Sequence, residues 1–385
     1  MIAALVIAAI SLGIWLVLLF GRGGFWRERP QPPGAASLPT TWPRVGIVIP
    51  ARNEAAGVGQ ALASLFAQDY PGDYAIVLVD DTSDDGTADV ARAAARAAGA
   101  EAHLTVLAGQ PLADGWTGKL WAVSQGIAEA ARQTPESTYL LLTDADIAHA
   151  PDTLRTLVQR AEAEGRDLVS LMVEMPHESF AEKAFLPAFV FFFAMLYPFA
   201  WVRDRKRRTA AAAGGVMLVR ASALAAIGGI GAIRDALIDD CTLAKALKRN
   251  GPIWLGLAPA ATRSLRPYPR MGEIWAMIVR SAYTELRHSP IRLLATVLGM
   301  ALTFLAPPLL VLAGGTAGGL GLLAWALMAV AYLPTLRRCR LSALWAPALP
   351  LVALFYLLAT VESARRYHAG QGGQWKGRTT LRGTA

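Results

Sequence analysis

The sequence predicts an α/β protein, a mostly parallel, doubly wound sheet held between apolar segments at its two ends. Three observations carry this. From Val45 onward, apolar runs of strand length alternate with stretches of helical periodicity, the pattern of repeated βα units. The composition is 54% hydrophobic and only 17% charged, and the apolar excess is concentrated at the two ends of the chain. Polar and acidic residues collect at the carboxyl ends of three strands, where open parallel sheets bind ligands. A chain of 385 residues has room for two domains or one large one.

In order, residues 1–21 form an uncharged segment long enough to span a bilayer. They lack the basic start and small-residue cleavage site of a signal peptide. Arg22, Arg27 and Arg29 follow, so the positive-inside rule places the next part of the chain in the cytoplasm. Residues 22–43, rich in Pro, Gly and Ser, read as a linker. A water-soluble domain is expected over residues 44–290. Its strands are Val45–Ala51, Ala75–Asp81, His103–Leu107, Tyr139–Thr143, Asp167–Glu174 and Ala213–Arg220. Its helices are Glu54–Gln68, Thr87–Ala98, Lys119–Arg132, one starting at Pro151, one running to Lys248, and an amphipathic stretch Arg270–Arg287.

Phe185–Val202 is apolar and of bilayer-spanning size, and is followed by Arg203, Arg205, Lys206, Arg207 and Arg208. A single crossing there would put Asp144 and Asp240 on opposite sides of the membrane. Residues 185–202 therefore read as an interfacial or re-entrant element, with the basic cluster at lipid headgroups and a buried core helix as the alternative. Residues 291–362 hold three further runs of spanning length, Leu293–Leu312, Leu320–Leu336 and Leu344–Val361, and residues 363–385 are a basic tail. Arg337, Arg338 and Arg340 belong in the cytoplasm, but strict alternation of three spans would then place Arg365 and Arg366 outside. Either one run is re-entrant or one span fewer crosses.

The net charge of +8 fits membrane topology and headgroup contact, and no aromatic-basic nucleic-acid motif is present. Cys241 and Cys339 form no metal-ligand spacing and suggest a reducing compartment.

The candidate chemistry centres on Asp144-Ala145-Asp146, at the end of the Tyr139–Thr143 strand. Carboxylates one residue apart on an extended backbone project to one side, and two such oxygen donors suit a hard divalent cation, Mg²⁺ or Mn²⁺. Arg52-Asn53-Glu54 follows the first strand and Asp80-Asp81 ends the second, where carboxylates can accept from a nucleobase N–H or a ribose hydroxyl. Asp84, Asp85 and Thr87 read as turn and helix-capping residues. Lys119, behind a glycine-punctuated loop at a helix N-terminus, suits a diphosphate. Gly214 and Gly215 let backbone approach a ligand. Asp239 and Asp240 open a helix, a favourable place for acids in any protein.

In this order and spacing, Val48-Ile49-Pro50-Ala51-Arg52-Asn53-Glu54, Val79-Asp80-Asp81 through Gly86-Thr87, and Asp144-Ala145-Asp146 resemble the family 2 glycosyltransferases of GT-A fold. Gly118-Lys119 and Gly214-Gly215 also fit, and Asp239-Asp240-Cys241-Thr242-Leu243 resembles the family's Glu-Asp-x-x-Leu element with Asp in place of Glu. The similarity covers roughly residues 44–290. The flanking apolar segments and Trp375-Lys376-Gly377-Arg378 resemble the membrane-bound branch of ceramide-glucosyltransferase-like and hopanoid-biosynthesis-associated enzymes. The resemblance implies a multi-pass inner-membrane enzyme with its catalytic domain in the cytoplasm. It would transfer a sugar with inversion from a nucleotide-diphospho-sugar, preferably a UDP-sugar, to a lipid hydroxyl of hopanoid, sphingolipid-like or polyprenyl type. Donor-binding roles fall on Pro50, Arg52, Asn53, Glu54, Asp80, Asp81, Lys119, Asp144, Gly214, Gly215, Asp239 and Arg280. Metal-binding roles fall on Asp144 and Asp146, and the general-base role falls on Asp240. Many relatives carry Gln/Arg-x-x-Arg-Trp where this chain has Met277-Ile278-Val279-Arg280-Ser281, so only the arginine matches.

Two other readings compete with this one. A nucleotidyltransferase would need an activating basic loop near the amino end of the sheet. A membrane scaffold or transporter with a degenerate nucleotide-binding domain would not need the intact set Asp81, Asp144, Asp146 and Asp240, and transporters usually carry charges inside their spans.

Overall fold

The computed structural model describes residues 2–31 and 38–371, together with the backbone of 374–375 and 378–379. Among the described residues, nine strands precede the C-terminal helices: β1 Val45–Ala51, β2 Tyr74–Asp80, β3 Leu104–Ala108, β4 Tyr139–Thr143, β5 Ile147–Ala148, β6 Leu168–Met172, β7 Val216–Arg220, β8 Ile253–Leu257 and β9 Arg263–Ser264. The chain folds as two compact units. One comprises Met1–Glu28, His177–Ala200 and Tyr268–Gly373, and the other Arg29–Pro176, Trp201–Pro267 and Gln374–Ala385.

The second unit is built on a seven-stranded sheet of order β3-β2-β1-β4-β7-β6-β8. β1 pairs in parallel with β2 on one side and β4 on the other, Val45 lying opposite both Tyr74 and Tyr139. β3 is parallel to β2, as a βα unit dictates, and β8 is parallel to β6. β7 runs antiparallel to both β4 and β6, so the sheet is mixed. Every residue of β1, β4, β6 and β8 is buried, which is why these strands read as continuous apolar runs without alternation. β8 was not expected from the sequence. β5 and β9 form a two-residue antiparallel ribbon of their own.

The helix Gly118–Gln133 lies directly on the sheet. A Cβ at Gly126 would come within 2.4 Å of Val48 Cγ1 and 3.1 Å of Val79 Cγ2. That close approach fixes the helix on β1 and β2 and aims its first turn, with Lys119, at their carboxyl ends. Thr117 caps it by accepting from the Leu120 amide at 3.4 Å.

In the first unit, four helical stretches among the described residues are long and apolar enough to cross a membrane: Ile2–Gly21, Pro290–Val311, Gly315–Arg338 and Ala343–His368. The apolar run Phe185–Val202, expected as one interfacial or re-entrant element, is split between the helix Phe180–Leu196, which packs within this unit, and the short helix Phe199–Arg203. Ser179 and Glu182 close a capping box at its start, and the Tyr356 hydroxyl donates to Phe185 O at 2.9 Å. Phe191 meets Tyr332 and Phe192 meets Phe304 edge-on. Of the closing Trp375-Lys376-Gly377-Arg378, Lys376 and Gly377 lie outside the described residues. The backbone of Gln374–Trp375 pairs antiparallel with that of Arg378–Thr379.

Gly126→Val overpacks the seam between helix and sheet. The expected loss is about 1–3 kcal/mol, read as a lowered Tm in detergent. An unchanged Tm would show that the helix can lift off the sheet without cost.

Candidate active site

Parallel pairing of β1, β2 and β4 brings their carboxyl ends to one rim of the sheet, and the acids expected from the sequence sit there. The two polar loops at the ends of β1 and β2 bind each other. Asn53 and Thr82 both adopt left-handed backbone conformations, with φ of 51° and 54°. The Asn53 amide donates to Ser83 Oγ at 3.0 Å, and Asn53 Oδ1 accepts from the Asp84 amide at 3.1 Å. Asp85 accepts from the amides of Ala55 and Thr87, at 2.9 and 3.0 Å, and so caps two helices at once. Burial opposes ionisation there, but bonds from Thr87 and Ala55 hold the carboxyl below its usual range. Asp84, Asp85 and Thr87 thus form the turn and cap the sequence suggested.

Arg52 donates from Nη1 to Asp81 O at 2.5 Å and to Thr82 Oγ1 at 2.6 Å, and reaches Asp81 Oδ2 at 3.9 Å. Asp81 is fully buried, whereas Asp80 turns back to accept from the Ser83 amide at 3.1 Å. Pro50 is buried within β1.

β4 ends at Thr143, and Asp144-Ala145-Asp146 forms a turn into β5. Strand alternation therefore does not set the two carboxylates, contrary to the expectation from their spacing. They lie within electrostatic reach of each other across a turn, pinned where the Leu265 amide donates to Asp146 O at 2.7 Å. The carboxyl of Asp146 is pushed up to about 6, first by burial and then by the charges of Asp144 and Glu54, with Arg266 and Lys119 opposing. Arg266 was not anticipated. It lies in an irregular stretch after β9 where no periodicity marks it.

The centre of the site is the Lys119 ammonium, 2.9 Å from Asp144 Oδ1 and 3.1 Å from Asp239 Oδ2. Burial alone would lower the Lys119 pKa, but Asp144 and Asp239 outweigh it and hold the amine well above its ordinary value. Asp240 stands behind. Its Oδ2 accepts from the Gly214 amide at 2.9 Å and its Oδ1 from the Cys241 amide at 2.7 Å. Burial, then the charge of Asp239, pushes the Asp240 carboxyl up to about 7, against the pull of Lys119 and the two amide bonds.

Gly214 packs against this group, and a Cβ there would sit 3.5 Å from both Asp240 Oδ2 and Lys119 Nζ. The Thr143 hydroxyl donates to Gly215 O at 2.7 Å and meets His149 Nε2 at 3.0 Å. With its one proton committed to Gly215, Thr143 must accept from an Nε2–H. Burial keeps His149 neutral by lowering it to about 4. Neither residue was singled out from the sequence, since a Thr at a strand end and a lone His carry no pattern.

One rim thus gathers Glu54, Lys119, Asp144, Asp146, Gly214, Asp239 and Asp240, with the Arg52 and Asp81 pair at the ends of the neighbouring strands. Arg280 lies in the other compact unit, exposed on the helix Met271–Glu285.

A mixed sheet of this order with paired acids at the strand ends is a GT-A-type fold. The chain belongs to the glycosyltransferase like family 2, whose model matches residues 43–281. Among solved structures, it is similar to a mannosyltransferase from Pyrobaculum calidifontis in complex with GDP-Man and Mn²⁺. The TM-score is 0.55, at 21% identity over 94% of this chain and 98% of that one. Glucosyl-3-phosphoglycerate synthase from Mycobacterium tuberculosis, in complex with phosphoglyceric acid, gives a TM-score of 0.38 at 19% identity, over 64% and 79%. Staphylococcus aureus TarS 1–349, in complex with UDP-GlcNAc, gives 0.40 at 14% identity, over 89% and 98%. No curated protein matches the sequence.

Lys119→Met removes the cation shared by Asp144, Asp239 and Asp240. The expected loss is about 1–3 kcal/mol, the cost of leaving charged groups without their partner. The loss should grow as pH rises through about 7, because Asp240 takes up its negative charge beside Asp239 over that range. Thermal unfolding across pH tests this, and a loss that shrinks with rising pH would contradict it.

Proposed function

We propose that this protein is a membrane-anchored, metal-dependent, inverting glycosyltransferase that moves a sugar from a nucleotide-diphospho-sugar to a lipid hydroxyl. The observation that carries the reading is the convergence of Asp144, Asp239 and Asp240 on Lys119 at the carboxyl rim of the sheet. Asp81 and Arg52 would receive the nucleoside, with Glu54, Asn53 and Asp80 shaping the loops around it. Gly214 and Gly215 would let backbone lie against the donor.

The donor set fits a divalent cation. Asp144 and Asp146 offer hard oxygen ligands, and burial together with the charges of Asp144 and Glu54 holds Asp146 above the usual carboxylate range, a penalty that a bound cation relieves. Mg²⁺ or Mn²⁺ bound there would act as a Lewis acid on the departing diphosphate. Lys119 adds a fixed positive charge next to Asp144, positioned before reaction.

In the transfer step, the acceptor oxygen bonds to the anomeric carbon as the bond from that carbon to the diphosphate breaks. The hydroxyl proton passes to Asp240, and the electron pair leaves with the nucleoside diphosphate. Attack opposite the leaving group gives inversion. The Gly214 and Cys241 amides fix the Asp240 carboxylate, while burial keeps it a stronger base than an exposed Asp. Arg280 is assigned to the leaving diphosphate on the family resemblance alone.

The acceptor assignment rests on the apolar helices, and the hopanoid, sphingolipid-like or polyprenyl class on the resemblance. Arg22, Arg27 and Arg29 after the first span support a cytoplasmic catalytic unit in the inner membrane. The resemblance favours a UDP-sugar, and the GDP-Man in the Pyrobaculum enzyme makes GDP-sugars the competing class.

Purified protein is assayed with UDP- and GDP-sugars and total lipid extract, following product by mass spectrometry. Turnover should need Mg²⁺ or Mn²⁺, and Asp240→Asn should abolish it while nucleotide binding persists. Turnover by wild type should rise with pH through about 7 as Asp240 loses its proton. No turnover or hydrolysis with any donor, or full activity in Asp240→Asn, would sink the reading.

A further inference from the structure

The helix Leu349–His368 runs alongside Met271–Glu285 in the same direction. Trp275 meets Phe355 edge-on at 5.1 Å. Further along, Ser363 Oγ donates to Val279 O at 2.6 Å and accepts from the Tyr283 amide at 3.0 Å. At the end, Tyr283 touches Tyr367 and His368, with ring centroids 5.4 and 5.6 Å apart. His288, just before the apolar stretch Pro290–Val311, stacks flat on Tyr367 at 4.0 Å and 10°.

These contacts constrain how often the chain crosses a bilayer. A hydrocarbon core is about 30 Å thick, so two stacked rings lie at one depth. An odd number of crossings between His288 and Tyr367 would put them on opposite faces. The three stretches Pro290–Val311, Gly315–Arg338 and Ala343–His368 cannot therefore all cross.

Two of them form a tight antiparallel hairpin. At Gly321 a Cβ would come within 2.7 Å of Leu310 Cβ and 2.9 Å of Pro307 O, and Gly314 and Gly315 turn the chain with φ of 67° and 56°. The third packs along a helix that is too charged to cross. Met271–Glu285 and the residues after it carry Glu273, Arg280, Glu285 and Arg287, with Glu273, Arg280 and Arg287 exposed. A charge held at the bilayer centre is strongly unfavourable. Trp325, midway along Gly315–Arg338, donates to Pro347 O at 3.0 Å, so the turn Ala343–Ala348 descends beside that helix before the chain returns.

We propose that Ala343–His368 enters and leaves the membrane on one face. Met271–Glu285 and the second half of Leu349–His368 then form a platform at the phospholipid headgroups, on the face where the chain reaches Met271. Its charged side chains suit the polar headgroup layer. Arg280, Arg287 and Arg365 are exposed, and Glu362 holds Arg365 and Arg366 at 2.6 and 2.8 Å along the helix end. The arrangement also brings Arg337, Arg338 and Arg340 to the same face as Arg365 and Arg366, which removes the conflict with the positive-inside rule. It rests on unit Met1–Glu28, His177–Ala200 and Tyr268–Gly373 being inserted in a membrane, and is independent of the catalytic assignment.

The test is single-cysteine labelling in a Cys241→Ser, Cys339→Ser background, with a membrane-impermeant maleimide on right-side-out and inside-out vesicles. Ala369→Cys and Asn250→Cys should react in the same vesicle orientation, and Thr316→Cys in the opposite one. Ala369→Cys reacting together with Thr316→Cys would overturn the proposal. Labelling of all three in both orientations, with release by alkaline carbonate, would overturn it by showing that the unit is not inserted. If the cysteine variants do not accumulate, reporters fused after the last residue of the natural sequence give the same reading. Each reporter should then read the same side as the same reporter placed after Asn250, and opposite readings would refute the single-face path.

Discussion

The site depends on one ion: the Lys119 ammonium, held between Asp144 and Asp239 with Asp240 close behind. Three carboxylates this close repel each other, and the polar rim would spread without a cation between them. The cation is in place because a helix is pressed against β1 and β2 at Gly126, which aims the Gly118–Lys119 turn at the carboxyl rim of the sheet, where Lys119 meets Asp144. The acids reach it because β4 and β7 are neighbours, bringing the loop after Thr143 next to Gly214 and the helix beginning at Asp239. Packing deep in the sheet thus sets the electrostatics at its rim.

Within that arrangement the acids differ by environment. Asp239 faces the ammonium, whereas Asp240 is turned to the backbone amides of Gly214 and Cys241. One is a fixed counter-charge and the other a buried carboxyl raised to about 7. Adjacent residues of identical type are set apart electrostatically by which neighbour each can reach.

Much of this was legible in the sequence. Strands buried on both faces give continuous apolar runs, so β1, β2 and β4 were found nearly to the residue, and the acids at their ends followed. What escaped had no local signature. The direction of β7 depends on how the chain re-enters the sheet, and β8 is a short apolar run without a polar strand end to mark it. The turn geometry at Asp144–Asp146 was misread because two residues of spacing look alike in a strand and in a tight turn. Arg266, Thr143 and His149 matter through contacts with residues distant in sequence. In the helical unit, length and composition identify four apolar stretches but cannot count crossings; ring contacts between His288 and Tyr367 supply that constraint.

The central claim is that the carboxylate pair and the lysine together form a site for a metal-bound nucleoside diphosphate. Electron paramagnetic resonance of Mn²⁺ with full-length protein in detergent tests it most directly. Mn²⁺ should become protein-bound when UDP or GDP is added. Asp146→Ala should lose that binding, and Lys119→Met should weaken it by removing the charge that faces the diphosphate. Equal Mn²⁺ binding by wild type and Asp146→Ala in the presence of nucleotide would contradict the account.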